Sequence, residues 1–196
     1  MRSLLFSFLI IISFTAVGQK KSYHDSLVDY QKNYVQTHEI VKKPDWKYFK
    51  FFPISIEYRI LAKFEKINDT SGFVMKTSGK LSKKYFRYGI LSFTLNNKPF
   101  HLTVYQSEQL MKNDEYKDYL FLPFTDLTSG EQSYAGGKYI DFRMDEIKDN
   151  TVLIDFNKAY NPYCAYTTGY NCPIPPREND LPVAIKAGEM AFGKKH

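Results

Sequence analysis

The chain has 196 residues, 43% of them hydrophobic and 17% aromatic, which supplies enough apolar surface for a folded core. Its 27 basic and 21 acidic side chains give a formal net charge of +6 at pH 7. The basic residues are scattered in short pairs and are not gathered with aromatic residues in one segment, a distribution that excludes a nucleic-acid-binding protein.

Residues 1–18 have the three-part layout of a signal peptide. Arg2 supplies a positive start, an apolar run extends from Leu4 to Phe14, and the small residues Ala16 and Gly18 follow. The apolar run is much shorter than the about 20 residues that a membrane-spanning helix needs. We therefore expect cleavage between Gly18 and Gln19. The mature chain would be exported to the periplasm or secreted, with no transmembrane segment.

The mature chain, residues 19–196, is predicted to form a single β-rich domain. One helix is predicted from about Tyr23 to Thr37, because Ser22 and Asp25 resemble a capping box and apolar residues follow at helical spacing. From Ser55 onward the pattern changes to alternating polar and apolar residues with short turns, which is typical of antiparallel strands.

Eight segments show this strand pattern: residues 55–63, 73–76, 85–95, 100–105, 119–124, 138–143, 151–156 and 182–185. Residues 106–117 between them are polar and predict a short helix or a loop. The predicted fold class is therefore mainly β, at most α+β. We expect an antiparallel β-barrel or sandwich with one N-terminal helix.

The C-terminal half is dense in polar and turn-forming residues, in segments 121–130, 133–139, 153–164, 170–181 and 187–189. These segments resemble the bacterial family known as domain of unknown function 1684. The pattern of that family reads approximately as F-D-T-S-G, T-Y-G-G-G-R-Y, D-F-N-x-A-Y-N-P-P-C, C-P-x-P-P-x-E-N and A-G-E. The match is specific from Tyr119 to Glu189 and general before it. The resemblance implies no assigned activity, cofactor or substrate.

Three positions depart from the family pattern. Lys138 stands where the family usually has Arg, Ser133 where it has Thr, and Tyr163 where it has the second Pro. A lysine cannot make the two-pronged contact of a guanidinium group with an anion. Lys138 is therefore less suited than an arginine to bind an anion through two parallel hydrogen bonds.

Two carboxylates are the candidate catalytic residues. Asp126 lies just past one predicted strand and Asp155 near the end of another, so they would meet if these strand ends are neighbours. Alternation along the second strand puts Asp155 and Asn157 on the same side. Nearby polar residues complete a candidate ligand-binding set: Thr128, Tyr134, Lys138, Asn157 and Asn161.

These residues support three hypotheses. The first is binding of a small polar ligand, such as a sugar, at the C-terminal loops. The second is a hydrolase in which Asp126 or Asp155 acts with Tyr134 and Lys138. The third is a structural envelope protein with no small-molecule site, because Asp, Asn and Thr also hydrogen-bond the backbone at turns. No cofactor is expected.

Cys164 and Cys172 are the two cysteines of the chain, and an even count in an exported protein predicts a disulfide. A zinc site would need about two more ligands. The four histidines, at positions 24, 38, 101 and 196, cluster with neither cysteine in sequence, so no metal site is predicted. Free thiols are the other alternative. A disulfide would itself favour an oxidising compartment.

Overall fold

The structure, a computed structural model, describes residues 21–194. The predicted signal peptide and its cleavage point lie outside these residues. Helix α1 spans Tyr23–Thr37, as predicted from the sequence. It begins there because the Ser22 hydroxyl accepts a hydrogen bond from the Asp25 amide at 3.1 Å, which satisfies one unpaired N–H of the first turn.

The strands of the sheet are β1 (Arg59–Lys66), β2 (Phe73–Met75), β3 (Lys83–Leu95), β4 (Lys98–Ser107), β5 (Tyr119–Asp126), β6 (Lys138–Arg143), β7 (Thr151–Asp155) and β8 (Asp180–Leu181). Their order is β6-β5-β4-β3-β1-β7, with β2 beside β3 and β8 beside β5. All pairs are antiparallel except β5 with β8. A short helix, α2 (Glu108–Met111), lies in the polar segment between β4 and β5.

The central hairpin of the sheet joins β3 to β4 through Asn96 and Asn97. Both residues have positive φ, at 51° and 60°, which matches the mirror-image turn that favours asparagine and glycine. Leu95 pairs with Lys98 directly across the turn. The Asn-Asn pair therefore fixes the register of the longest strand pair.

The sheet curls into a half-barrel around one main hydrophobic core. Seven of the strands contribute buried side chains to this core, among them Leu91, Leu102, Leu122, Ile140 and Ile154. Ile140 and Ile154 come from β6 and β7, which are the two ends of the strand order. The prediction of a mainly antiparallel β fold with one N-terminal helix is confirmed, and the predicted barrel curls without closing.

Most predicted strands shift by one or two residues at their ends, and two differ more. Residues Ile56–Tyr58 form a 3-10 turn capped by the Ser55 hydroxyl, so β1 starts at Arg59. The last predicted strand, residues 182–185, is replaced by the two-residue strand β8, which precedes it. Pro182 has no N–H group and so cannot continue the hydrogen bonding of the strand. The buried Asn179 side chain anchors the chain just before β8 through hydrogen bonds to strands β4 and β5.

None of the helices within residues 21–194 has the length and hydrophobicity that a membrane-spanning helix requires.

Candidate functional site

Asp126, the last residue of β5, forms a buried ion pair with Lys138 of β6. The Lys138 ammonium lies 3.3 Å from Asp126 Oδ2, and neither side chain has any solvent-exposed surface. Asp126 Oδ1 accepts hydrogen bonds from the amides of Thr128, at 2.8 Å, and Ile185, at 3.1 Å. The carboxylate therefore anchors the turn after β5 and the C-terminal segment to the sheet.

The Lys138 ammonium also donates to the carbonyl oxygens of Ile185, at 3.0 Å, and Ala187, at 3.3 Å. Burial lowers the pKa of Lys138, and the nearby Asp126 carboxylate opposes that change. With the carboxylate, the two carbonyls give one partner to each of the three ammonium protons. In this structure the pair holds segments of the fold together and offers no surface to a ligand.

Thr128 and Tyr134 lie on either side of the Gly130 turn. The Thr128 hydroxyl is buried and lies 2.8 Å from the Ser133 hydroxyl, within hydrogen-bonding distance. Tyr134 is half-buried against a separate aromatic cluster that contains Val41. Tyr134 therefore packs apart from the ion pair.

Asp155 and Asn157 do lie together, as alternation predicts. Asp155 Oδ1 accepts from the Asn157 amide at 3.1 Å and from its Nδ2 at 3.0 Å. Asn157 also bonds both backbone groups of Ser55, at 3.0 Å and 2.8 Å. From α1, the Tyr23 hydroxyl donates to the Asp155 carboxylate at 3.1 Å. The buried Asn157 side chain therefore holds the Asp155 carboxylate in place. That carboxylate accepts the hydrogen bond from Tyr23 in the first turn of α1.

Asn161 belongs to a third cluster, centred on the fully buried Glu189. Its amide donates to Glu189 Oε2 at 3.0 Å, and its Nδ2 donates to the Met190 carbonyl at 2.8 Å. The hydroxyls of Tyr166, at 2.7 Å, and Tyr34, at 3.2 Å, also donate to this carboxylate. Burial raises the pKa of Glu189 to about 7, and these hydrogen bonds oppose the rise. Tyr34 therefore joins α1 to a carboxyl that titrates near neutral pH.

A groove of about 1170 Å³ runs where α1 meets the two edge strands of the half-barrel. Its walls come from α1 on one side and from β6 and β7 on the other, with Tyr160 and Tyr163 from the loop after β7. Ligand pockets have typical volumes of about 300–1,000 Å³, so this groove has room for a small molecule. It lies at the place where the half-barrel is open.

Asp141, at the middle of β6, is one of the acidic groups on the strand side of the groove. The hydroxyl of Tyr160 donates a hydrogen bond to its carboxylate, and Tyr119 of β5 lies close enough to interact as well. Burial raises the pKa of Asp141 to about 6, while the two tyrosine hydroxyls favour its charged form. The groove therefore presents a carboxyl group whose titration falls just below neutral pH.

Tyrosine side chains of α1 form the opposite wall. Tyr23, Tyr30 and Tyr34 all line the groove, and the Tyr30 hydroxyl donates to the Lys158 carbonyl at 3.3 Å. Burial raises the pKa of Tyr30 to about 12, so its hydroxyl keeps the proton at neutral pH. These residues give the wall flat aromatic faces and neutral hydroxyl groups.

Two cations lie beside these rings. The guanidinium carbon of Arg59 is 5.2 Å from the centre of the Tyr23 ring, and the Lys158 ammonium is 5.5 Å from that of Tyr30. Burial lowers the pKa of His38 to about 4, so the imidazole in the groove is neutral at pH 7. Four acidic and three basic side chains line the groove, so it has no strong excess of either charge.

Comparison with known proteins identifies the family. The model of the family described as "Protein of unknown function (DUF1684)" matches residues 45–190. The chain belongs to the DUF1684 family. A solution NMR structure of the uncharacterized protein from gene locus rrnAC0354 of Haloarcula marismortui is similar, with 27% identity and a TM-score of 0.63 over 84% of this chain and 92% of that chain. A search of curated proteins finds no match.

Of the residues that sequence analysis selected, Asp155 is the one that lines the groove of this DUF1684 chain. Asn157 and Asn161 are buried and support carboxylates, while Asp126 and Lys138 form their own pair. Sequence analysis missed groups of the groove and its supports, namely Asp141, Tyr160, Tyr119, Tyr34 and Glu189. Tyr160 and Glu189 lie in the family-like segments, which was the available signal. Asp141 occupies a polar position in the alternating pattern of β6, so its sequence context did not distinguish it from an ordinary strand residue.

The two cysteines of the DUF1684 chain, Cys164 and Cys172, form a disulfide with a Cα–Cα distance of 6.4 Å. The disulfide prediction is confirmed. In the described part of the chain, no group of three His, Cys, Asp or Glu residues could hold a metal ion. The disulfide closes the loop that follows the groove residue Tyr163.

Proposed function

We propose that this DUF1684 protein binds a small polar ligand with several hydroxyl groups in the groove between α1 and strands β6 and β7. The main support for the proposal is that one groove combines acidic side chains with tyrosine side chains. Asp141 and Asp155 supply carboxylates, and the tyrosines of α1 supply aromatic faces with neutral hydroxyls. A sugar or a related polyol is the ligand class that this combination fits.

The hydrogen-bonding capacity of the groove supports this ligand class. A carboxylate accepts hydrogen bonds from neighbouring hydroxyl groups of a ligand through both of its oxygens. Tyrosine hydroxyls donate and accept, and their rings pack against the apolar face of a sugar ring. Arg59 and Lys158 offset the charge of the carboxylates, which favours a neutral ligand over a strongly charged one.

We further propose that binding takes place after export, in the periplasm or outside the cell. Residues 1–18 motivate this location because they have the layout of a signal peptide. The disulfide between Cys164 and Cys172 supports it, since such bonds persist in oxidising compartments.

A hydrolase is the second candidate, and it is favoured by the raised pKa of Asp141, which lines the groove. Burial raises the pKa of this carboxyl to about 6, close to the range in which a general acid works at neutral pH. The candidate acid would then be Asp141 rather than Asp126, whose side chain has no exposed surface. Two results together would support this function. The wild type would hydrolyse a glycoside that binds the groove, and Asp141→Asn would still bind the glycoside but no longer hydrolyse it.

The binding proposal is tested by a thermal-shift screen of the chain from Gln19 onward against neutral mono- and oligosaccharides, polyols and amines. A ligand of the groove is expected to raise the melting temperature of the wild type and to have a weaker effect on Asp141→Asn. The matched control is Asp145→Asn, which removes the same charge from an exposed position close by, outside the groove. No shift with any polyol, or equal shifts in both variants, would contradict the proposal.

A further inference from the structure

A second surface of the molecule lies at the end of β2 and the turn that leads to β3. There, Thr77 pairs with Pro173 of the disulfide loop, and the Ser78 amide donates to the Cys172 carbonyl at 2.9 Å. The Leu81 amide donates to Asn171 Oδ1 at 2.9 Å. These contacts join residues 74–84 and 170–174 into one surface, which we call the basic edge.

The basic edge is built from two parts of the chain that lack acidic residues. No Asp or Glu occurs between Asp69 and Glu108, and none occurs between Asp155 and Glu178. The first part contributes lysines at positions 76, 80, 83 and 84. Lys84 lies 3.6 Å from Glu108, while Lys76 and Lys80 are exposed and make no ion pair with any residue from 21 to 194.

Apolar side chains are exposed among these lysines. The exposed fractions are 62% for Val74, 65% for Leu81, 39% for Tyr170 and 44% for Ile174. The turn itself, residues 78–82, is exposed at every position, with Leu81 within it. Exposed aliphatic and aromatic side chains next to unpaired lysines are the composition of surfaces that lie on anionic lipid bilayers.

We propose that the basic edge docks the protein on the surface of an anionic phospholipid bilayer. Lys76 and Lys80 contact the lipid phosphates, while Leu81 and Ile174 enter the boundary between headgroups and acyl chains. Two features favour a bilayer over a soluble acidic protein. Leu81 lies on a fully exposed turn rather than in a pocket, and the disulfide-closed loop is hydrogen-bonded to that turn, where the Ser78 amide donates to the Cys172 carbonyl. The proposal is independent of the groove.

The test is sedimentation of the chain from Gln19 onward, which retains all residues that the structure describes, with phosphatidylcholine vesicles with or without phosphatidylglycerol. The protein is expected to bind the anionic vesicles alone, and less at high salt. Lys76→Gln/Lys80→Gln is expected to weaken the partition coefficient roughly tenfold, since each lysine near an anionic surface contributes attraction. Leu81→Ser/Ile174→Ser is expected to weaken it similarly and to keep the salt dependence.

The matched control is Leu61→Ser/Lys63→Gln, which changes an exposed leucine and an exposed lysine on β1. It should bind like the wild type. Absence of binding to the anionic vesicles, or equal losses in the control and the basic-edge variants, would overturn the proposal. A soluble polyanion that competes fully, with no effect of Leu81→Ser/Ile174→Ser, would also overturn it, because that result identifies an acidic soluble partner. Unchanged melting temperatures show that the variants are folded.

Discussion

The hydroxyl of Tyr23 on α1 lies 3.1 Å from each carboxylate oxygen of Asp155, the last residue of edge strand β7. Leu27 is the buried residue of this helix, so α1 has a narrow apolar contact with the rest of the molecule. Tyrosine hydroxyls add the bonds to Asp155, to the Lys158 carbonyl and to Glu189. The helix that forms one wall of the groove is therefore held by polar contacts.

Replacement of Tyr23 by Phe should loosen α1 without unfolding the sheet. Loss of a hydrogen bond to a charged group costs about 1.5–3 kcal/mol, so amide exchange in α1 should accelerate roughly tenfold or more. Hydrogen–deuterium exchange with mass spectrometry measures the change. Tyr170→Phe is the control, since this exposed hydroxyl makes no hydrogen bond within residues 21–194. Equal exchange in Tyr23→Phe and the wild type would contradict the role of the bond.

Removal of one member of the buried pair Lys138–Asp126 should destabilise the fold strongly. Lys138→Met leaves a buried carboxylate without its cation, a change that costs about 3–5 kcal/mol of unfolding free energy. The double variant Asp126→Asn/Lys138→Met should lose clearly less than the sum of the two single losses, because it leaves no unpaired charge. Urea unfolding measures all three. Additive losses would show that the two charges do not interact. The control is Lys98→Met, which removes an exposed lysine and should change the free energy of unfolding little.

Glu189 should make the stability of the protein depend on pH. Its pKa is raised to about 7 in the folded chain, against about 4.3 in an unfolded chain. Between these values the folded state keeps a proton that the unfolded state has lost, so stability falls as pH rises through this window.

Urea unfolding at about pH 5 and about pH 8 measures this effect, because the two conditions fall on either side of most of the folded-state titration. The wild type should lose on the order of 2 kcal/mol more than Glu189→Gln over that interval. Asp141 is present in both proteins, so its own titration cancels in the comparison. A variant with the same pH dependence as the wild type would show that Glu189 does not titrate in this range.

The disulfide should contribute moderately to stability. The bridge between Cys164 and Cys172 closes a short loop, and the chain-entropy model gives about 2–3 kcal/mol for such a closure. Cys164→Ala/Cys172→Ala should therefore unfold at lower urea concentration. Thiol labelling of the exported wild type should modify neither cysteine. Complete labelling of both would contradict the disulfide and remove one support for an oxidising compartment.

Local sequence signals predicted much of the fold. The Ser22 cap located α1, and the alternation of polar and apolar residues located most of the strands, because both signals arise within a few neighbouring residues. The strand near residues 182–185 was misplaced. Its actual position depends on the side chain of Asn179, which reaches distant backbone groups of β4 and β5. Such a contact leaves no local pattern in the sequence.

The groove was less predictable because it depends on the order of the strands. Asp141 and Asp155 lie on β6 and β7, which follow each other in sequence but stand at opposite ends of the sheet. They line one groove because the sheet curls, and α1 covers the opening. Asn157 and Lys138 stood out as polar residues in family-like segments. Burial gives them roles in support of the fold, and sequence alone does not distinguish a buried polar residue from an exposed one.

Binding of a polar ligand between α1 and the edge strands is tested most directly by NMR. The ¹H–¹⁵N spectrum of the chain from Gln19 onward would be recorded during titration with the polyol or sugar that most stabilises the protein. We predict saturable shifts in α1 and around Asp141 and Asp155, with small changes at the basic edge and at the Lys138–Asp126 pair. Shifts that are absent from the groove, or that spread evenly over the surface, would contradict binding at this site.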